Sequence, residues 1–260
     1  MNETERPGAE SERLQLLETA FNPGTQRWLA NARIPAAGHC LAVGAGTPAT
    51  VRWLQGAVGP AGVVAAIDTS ARSWCQASTD SPQTSAAEIQ SAAADSGPFD
   101  LVHVRFALGH APDGSDILAA IVEAVKPGGL LVVEEPDFGC ARVLVGPEHL
   151  RRSFNAVHSA IELVFATLNL DHALGSRVPA LLQEHRFEDI SVENDAAIVP
   201  GRSPMAQVMA MSANLFATAY IATAFATLGD IVRYREFASE PACWATYATI
   251  IRGVGRRPTG

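Results

Sequence analysis

The stretch LAVGAGTPAT, residues 41–50, decides the fold. The apolar run that feeds it, HCLAV at 39–43, has no polar alternation, as expected of a strand buried on both faces. It ends at Gly44 and Gly46, residues that permit turns and close approaches a Cβ forbids. Pro48 suits the first turn of a helix, where its missing N–H has no intrahelical partner. Val51, Leu54 and Val58 then recur at helical spacing, and Gly59-Pro60 ends the helix. GVVAAIDTS (62–70) reads as a second strand ending at Asp68. Strand, glycine turn, helix, and a strand with an acid at its tip make a βαβ unit.

The alternation continues downstream. Residues 71–97, rich in Ala, Ser and Gln, predict a helix and a weak strand near Glu88-Ile89. FDLVHVRF (99–106) predicts a strand, DILAAIVEAV (116–125) a helix stopped by KPGG, and LLVVEEPDF (130–138) a strand ending in carboxylates. Unbroken apolar strands alternating with helices imply a parallel sheet covered on both faces. Ligands bind such sheets beyond the carboxyl ends of the strands. Residues 44–48, 68–69, 105–110 and 134–138 therefore converge on one crevice. Upstream, Leu14, Leu17, Phe21, Trp28 and Leu29 mark a helix interrupted at Asn22-Pro23-Gly24. Past Cys140, residues 147–185 and 203–240 are helical in pattern, 186–200 alternates like strands, and Ile250, Ile251 and Val254 suit a last strand. The expected organisation is a disordered tail at 1–10 and a core of 11–140, 186–202 and 245–258. A helical lid of 141–185 and 203–244 would cap the crevice.

Bulk properties narrow the function. Of 260 residues, 48% are apolar and 18% charged, a composition that builds a large core and argues against disorder. The net charge of −8, without a concentrated basic face, makes nucleic acid an unsuitable partner. Cys40, Cys75, Cys140 and Cys243 are scattered, which suggests free thiols of a reducing compartment and no metal site. The polar N-terminus has no apolar signal core, so a cytoplasmic location is expected. The segment 204–229 has no charged residue, but its Ala, Thr, Ser, Asn and Gln content would insert weakly into a bilayer. It is expected as buried lid helices or a homodimer interface.

The order of LAVGAGTPATVRWLQGAVGPAGVVAAID, FDLVHVRFALGHAP, AVKPGGLLVVEEPDF and CWATYATIIRGVGRRP resembles class I S-adenosylmethionine-dependent methyltransferases, in particular bacterial small-molecule enzymes with a helical lid. The resemblance covers roughly residues 11–258. It implies a Rossmann-like, doubly wound, mostly parallel seven-stranded sheet with helices on both faces, and S-adenosylmethionine as cofactor. It also assigns the site. Gly44, Ala45 and Gly46 would pass under the cofactor, and Asp68 with Thr69 would take the ribose hydroxyls. Glu88-Ile89 would frame the adenine, and Arg105-Phe106 would line the methyl-donor end. His110 is the candidate base for a hydroxyl acceptor, and Glu135 a second proton-handling or orienting carboxylate. Asp137, Phe138, Phe154, His158, Met211, Phe216 and Tyr220 are candidates to meet a small-molecule substrate.

Two positions depart from the family pattern. Ala42 stands where the family usually carries an acid that helps hold the methionine ammonium, and Pro48 replaces a third glycine. Loss of one charge-assisted contact costs about 1.5–3 kcal/mol, which weakens the cofactor site. Two further readings therefore stay open: a methyltransferase scaffold turned to cyclisation of a natural product without a methyl donor, and a non-catalytic binding protein.

Overall fold

The strand expected at 39–43 is β1 (His39–Gly44), and every residue after His39 in it is buried. The computed structural model describes residues 6–44, 47–67, 85–109, 111 and 114–260, with side chains from residue 12 onward except at 47 and 48. Around β1 the chain runs α1 (Arg6–Asn31), then α2 (Thr47–Val58), β2 (Val63–Ile67), α3 (Ala86–Ser96), β3 (Phe99–Arg105), α4 (Gly114–Ala124) and β4 (Val125–Asp137). It continues with β5 (Arg142–Val145), α5 (Glu148–Thr167), α6 (Leu174–Glu184), β6 (Glu188–Asp195), β7 (Val199–Pro200) and α7 (Pro204–Leu215). The last elements are α8 (Ala217–Ala222), α9 (Leu228–Ser239), β8 (Trp244–Thr246) and β9 (Thr249–Arg256).

The chain divides into two units, one of residues 22–136, 173–195 and 250–260 and the other of 1–21, 137–172 and 196–249. The first holds a Rossmann-like α/β sheet in the order β2-β1-β3-β4-β9-β6. Strands β1, β2, β3 and β4 pair in parallel, whereas β6 runs antiparallel to β9. Two apolar layers cover the sheet. Leu41, Val43, Val102, Val104 and Val133 pack with Ile89, Ile117, Ile121, Val178 and Leu182 from α3, α4 and α6. Cys40, Ala42, Leu101 and Val132 pack on the other side with Leu29 of α1 and with Leu54 and Val58 of α2. Burial on both faces explains why these strands lack alternation.

Several expectations change. Among the described residues the main sheet has six strands, not seven, and Glu88-Ile89 belongs to a helix. Ser85 caps the Glu88 amide while the Glu88 carboxylate accepts from the Ser85 amide at 3.0 Å, a reciprocal pair that starts α3. Helix α1 begins at Arg6, inside the expected tail, and runs through Pro23 without the expected break. The helical block 147–185 splits at 168–173, and α6 joins the sheet unit through Val178 and Leu182. Helix α6 thus groups with the sheet unit, whose core holds Leu174, Val178 and Leu182.

In the second unit, β5, β8 and β7 form a small antiparallel sheet beside α5, α7, α8 and α9. The uncharged segment 204–229 forms α7, α8 and the start of α9. Among the described residues no helix is long and apolar enough to cross a membrane.

Candidate functional site

Strand β1 lies between β2 and β3, so the connection leaving β1 and the one leaving β3 run in opposite directions. Helix α2 packs on the Leu54–Val58 side and α4 on the Ile117–Ile121 side. That reversal is the switch point at which doubly wound sheets open a crevice. Gly44, Arg105 and Glu134 stand in register across β1, β3 and β4 at this end. Both strands turn away by left-handed backbone at the same level, Gly44 with φ +113° and Phe106 with φ +53°.

Gly44 has a structural reason beyond any ligand. A Cβ there would lie 1.9 Å from the carbonyl oxygen of Arg105, so the end of β1 rests directly on the end of β3. The remaining residues assigned to the glycine turn, Ala45 and Gly46, lie outside the described residues, as do Asp68, Thr69 and His110. Ala42 is fully enclosed in the apolar layer beneath α1 and α2.

A buried charge network adjoins this level. Glu134 is inaccessible to solvent, and its Oε1 lies 2.9 Å from His103 Nε2. Its Oε2 accepts from Thr25 Oγ1 and from Arg252 Nε, each at 2.9 Å. Burial alone would raise the Glu134 pKa, but the His103 bond together with the His103, Arg105 and Arg252 charges holds it down at about 2. Arg252, likewise fully buried, also donates to Asp195 Oδ2 at 2.9 Å. Arg105 donates to Asn22 Oδ1 at 2.6 Å and lies over the Phe106 ring at 5.1 Å. None of His103, Glu134 or Arg252 was singled out in the sequence. The signal was there: three ionisable residues inside strands that otherwise read as core.

Glu135, expected to move protons or orient substrate, is turned to another task. It is inaccessible to solvent, and its Oε1 accepts from the amides of Ala107 and Leu108 at 2.9 and 2.8 Å. The Phe106 amide meanwhile donates to the Glu134 carbonyl at 2.9 Å. Adjacent carboxylates on β4 thus point to opposite faces, as strand geometry requires, and serve different structures. One neutralises the buried cations. The other shapes the turn after β3.

Of the adenine-framing pair, Glu88 is engaged in its helix cap and Ile89 is completely buried in the sheet core. In the second unit, Asp137 Oδ1 caps the Gly139 amide at 2.8 Å, and Phe138 meets Phe165 at 5.7 Å between ring centroids. Phe154 and His158 stack at 4.4 Å, and Phe154 also packs against Tyr234, Phe237 and Tyr247. His158 Nε2 lies 3.1 Å from the Tyr234 hydroxyl, and burial depresses its pKa to about 3. Phe216 and Tyr220 form an edge-to-face pair at 6.1 Å. Met211 is half-buried on the wall of an open groove of about 460 Å³ with Arg13, Asn214 and Arg235. Phe154 and His158 share one aromatic cluster, which Tyr234, Phe237 and Tyr247 complete and which sequence spacing did not connect.

The comparisons with known proteins agree with this architecture. A family model described as a methyltransferase domain matches residues 14–191. Two fungal proteins of Strobilurus tenacellus match over short pieces. Methyltransferase str3 is 52% identical over 42 residues, 16% of this chain and 15% of that protein. Methyltransferase str2 is 39% identical over 44 residues, 17% of this chain and 16% of that one. The chain thus matches less than a fifth of the length of either relative. A cyclopropane-fatty-acyl-phospholipid synthase-like protein from Lactobacillus casei shares the fold, with a TM-score of 0.52 at 13% identity over 98% of this chain and 94% of that chain. The family match spans well over half of the chain and includes β1, β3 and β4, whose ends stand in register at the switch point; the chain belongs to the methyltransferase-domain family.

Proposed function

We propose that this protein transfers a methyl group from S-adenosylmethionine to a nucleophilic atom of a small-molecule, secondary-metabolite acceptor. The observation that carries the proposal is the switch point between β1 and β3, where Gly44 and Phe106 turn both strands outward at one level. The residues present fit such a cofactor in kind. Glu134 and Glu135 are enclosed by protein partners, so neither carboxylate competes for the crevice. The Ala107 and Leu108 amides are occupied by Glu135, which leaves recognition to the glycine turn at 44–46 and to Asp68.

When bound, the cofactor supplies a methyl group already activated on a sulfonium, so placement and exclusion of water matter more than covalent help. Gly44, Ala45 and Gly46 would bind it by main chain, Asp68 and Thr69 would take the ribose hydroxyls, and Arg105-Phe106 would border the reacting end. His110 would accept the proton of a hydroxyl acceptor. The acidic protein and its dispersed basic residues favour a small acceptor over nucleic acid.

One observation favours a second reading. Ala42, where the resemblance expects an acid, is sealed in an apolar layer with no charge of its own to offer the methionine ammonium. A ring-closing reaction on the same scaffold would need no methyl donor. Calorimetry with S-adenosylhomocysteine separates the two, together with mass spectrometry of the denatured protein for carried-over cofactor. Methyl transfer requires binding, and Asp68→Ala should weaken it by at least about tenfold. No heat at about 1 mM ligand, where binding is worth only about 4 kcal/mol, overturns the proposal in favour of the second reading.

A further inference from the structure

Helix α1 carries two of the worst helix formers, Pro23 and Gly24, in its interior. Pro23 removes a backbone donor, and Gly24 adds chain entropy to be lost on folding. Such local conflict needs a tertiary reason. The flanking residues supply one. Asn22 accepts from Arg105 Nη1 at 2.6 Å, and Thr25 donates to Glu134 Oε2 at 2.9 Å. Gly24 leaves the space between them, since a Cβ there would lie 2.4 Å from Arg252 Nη2. The four residues Asn22-Pro23-Gly24-Thr25 thus meet three buried charged side chains of the sheet.

We infer that Asn22 and Thr25 are positioning residues that hold the end of β3, and the turn 106–108 after it, in the shape that borders the crevice. Two links carry the effect. Arg105, held by Asn22, covers the ring of Phe106, a non-glycine residue in left-handed backbone that needs support from outside. The carbonyl of Arg105 is also the surface on which Gly44 rests. Glu134, oriented by Thr25, carries the main-chain carbonyl that receives the Phe106 amide. Neither Asn22 nor Thr25 need touch a ligand. Their effect passes through Arg105 and Glu134 to the turn.

This inference rests on the crevice being the methyl-donor site only for its functional consequence. Amide hydrogen exchange of the ligand-free protein therefore tests it separately from binding. Asn22→Ala and Thr25→Val should each speed exchange of the 106–108 amides about tenfold or more, while amides of α5 keep their rates. Asn22→Asp, which retains the acceptor, and Thr25→Ser, which retains the hydroxyl, should restore the slow rates. Unchanged exchange at 106–108 would overturn the inference. So would equal acceleration in α5, which would reveal a general loss of stability. S-adenosylhomocysteine titration of the same variants gives the functional arm, with about tenfold weaker binding expected in both. If the unsubstituted protein binds none, the methyl-transfer proposal fails, and the exchange result still decides whether Asn22 and Thr25 hold the turn.

Discussion

Two buried histidines show how the two units solve one problem by different means. His103, in the sheet unit, sits beside a carboxylate that also receives Arg252 and Thr25. His158, in the second unit, sits among aromatic rings with the Tyr234 hydroxyl as its partner. Burial of an ionisable group disfavours its charged form unless an opposite charge answers it. In the sheet unit the buried carboxylate of Glu134 stays ionised because His103, Arg105 and Arg252 surround it. In the second unit burial acts on His158 unopposed among the described residues, so it stays neutral, with its pKa depressed to about 3. The same residue type thus meets a buried carboxylate in one place and an aromatic core in the other.

Three changes would break or sharpen this contrast, taken from the largest expected effect downward. Phe154→Ala removes the ring at the centre of the aromatic cluster and should destabilise by about 4 kcal/mol. Urea unfolding measures it, and a loss below about 1 kcal/mol would mean that the rings do not form a packed core. Glu134→Gln should cost about 3 kcal/mol, because Arg252 keeps only the more exposed Glu193 and Asp195. The double substitution Glu134→Leu with Arg252→Met should recover most of that loss, since charge and countercharge leave together. A double variant as unstable as the single one would contradict the ionic account. The smallest effect is the pH response. His158 has a depressed pKa, so the unfolded chain binds its proton below about 6.5 while the folded protein does not until about 3. Stability should therefore fall as the pH drops from 6.5, by up to about 2 kcal/mol at pH 5. Glu134 titrates around 4.5 in the unfolded chain and adds only a small part of the change down to pH 5. Thermal melts at pH 7 and pH 5 should show the drop in the native protein and less of it in His158→Phe. An equal drop in both would remove His158 as its source.

Legibility followed the range of the forces involved. The strand at 39–43 was readable because burial on both faces leaves an unbroken apolar run after His39. The helix at 116–125 was readable because its apolar residues keep a regular spacing above one layer of the core. Glu88-Ile89 misled because Ile89 satisfies the core from a helix as well as from a strand, and only the Ser85–Glu88 cap distinguishes them. The break expected at Pro23 followed from propensity, which the contacts of Asn22 and Thr25 override. At the site, Gly44 was legible from its place at the end of an apolar strand. The partners of Glu134 were not, because Thr25, His103 and Arg252 are separated from it by 109, 31 and 118 positions.

By itself the sequence determined the α/β class, the βαβ start and the methyltransferase family. These depend on periodicity, glycine and short-range order, all of which are written locally. The tertiary structure alone decided the strand order that sets the switch point and the joining of α6 to the sheet. It also decided the division of labour between Glu134 and Glu135, and the neutrality of His158. Those outcomes depend on which distant groups share a low-dielectric interior, where a partner several ångströms away changes both the charge and the task of a residue.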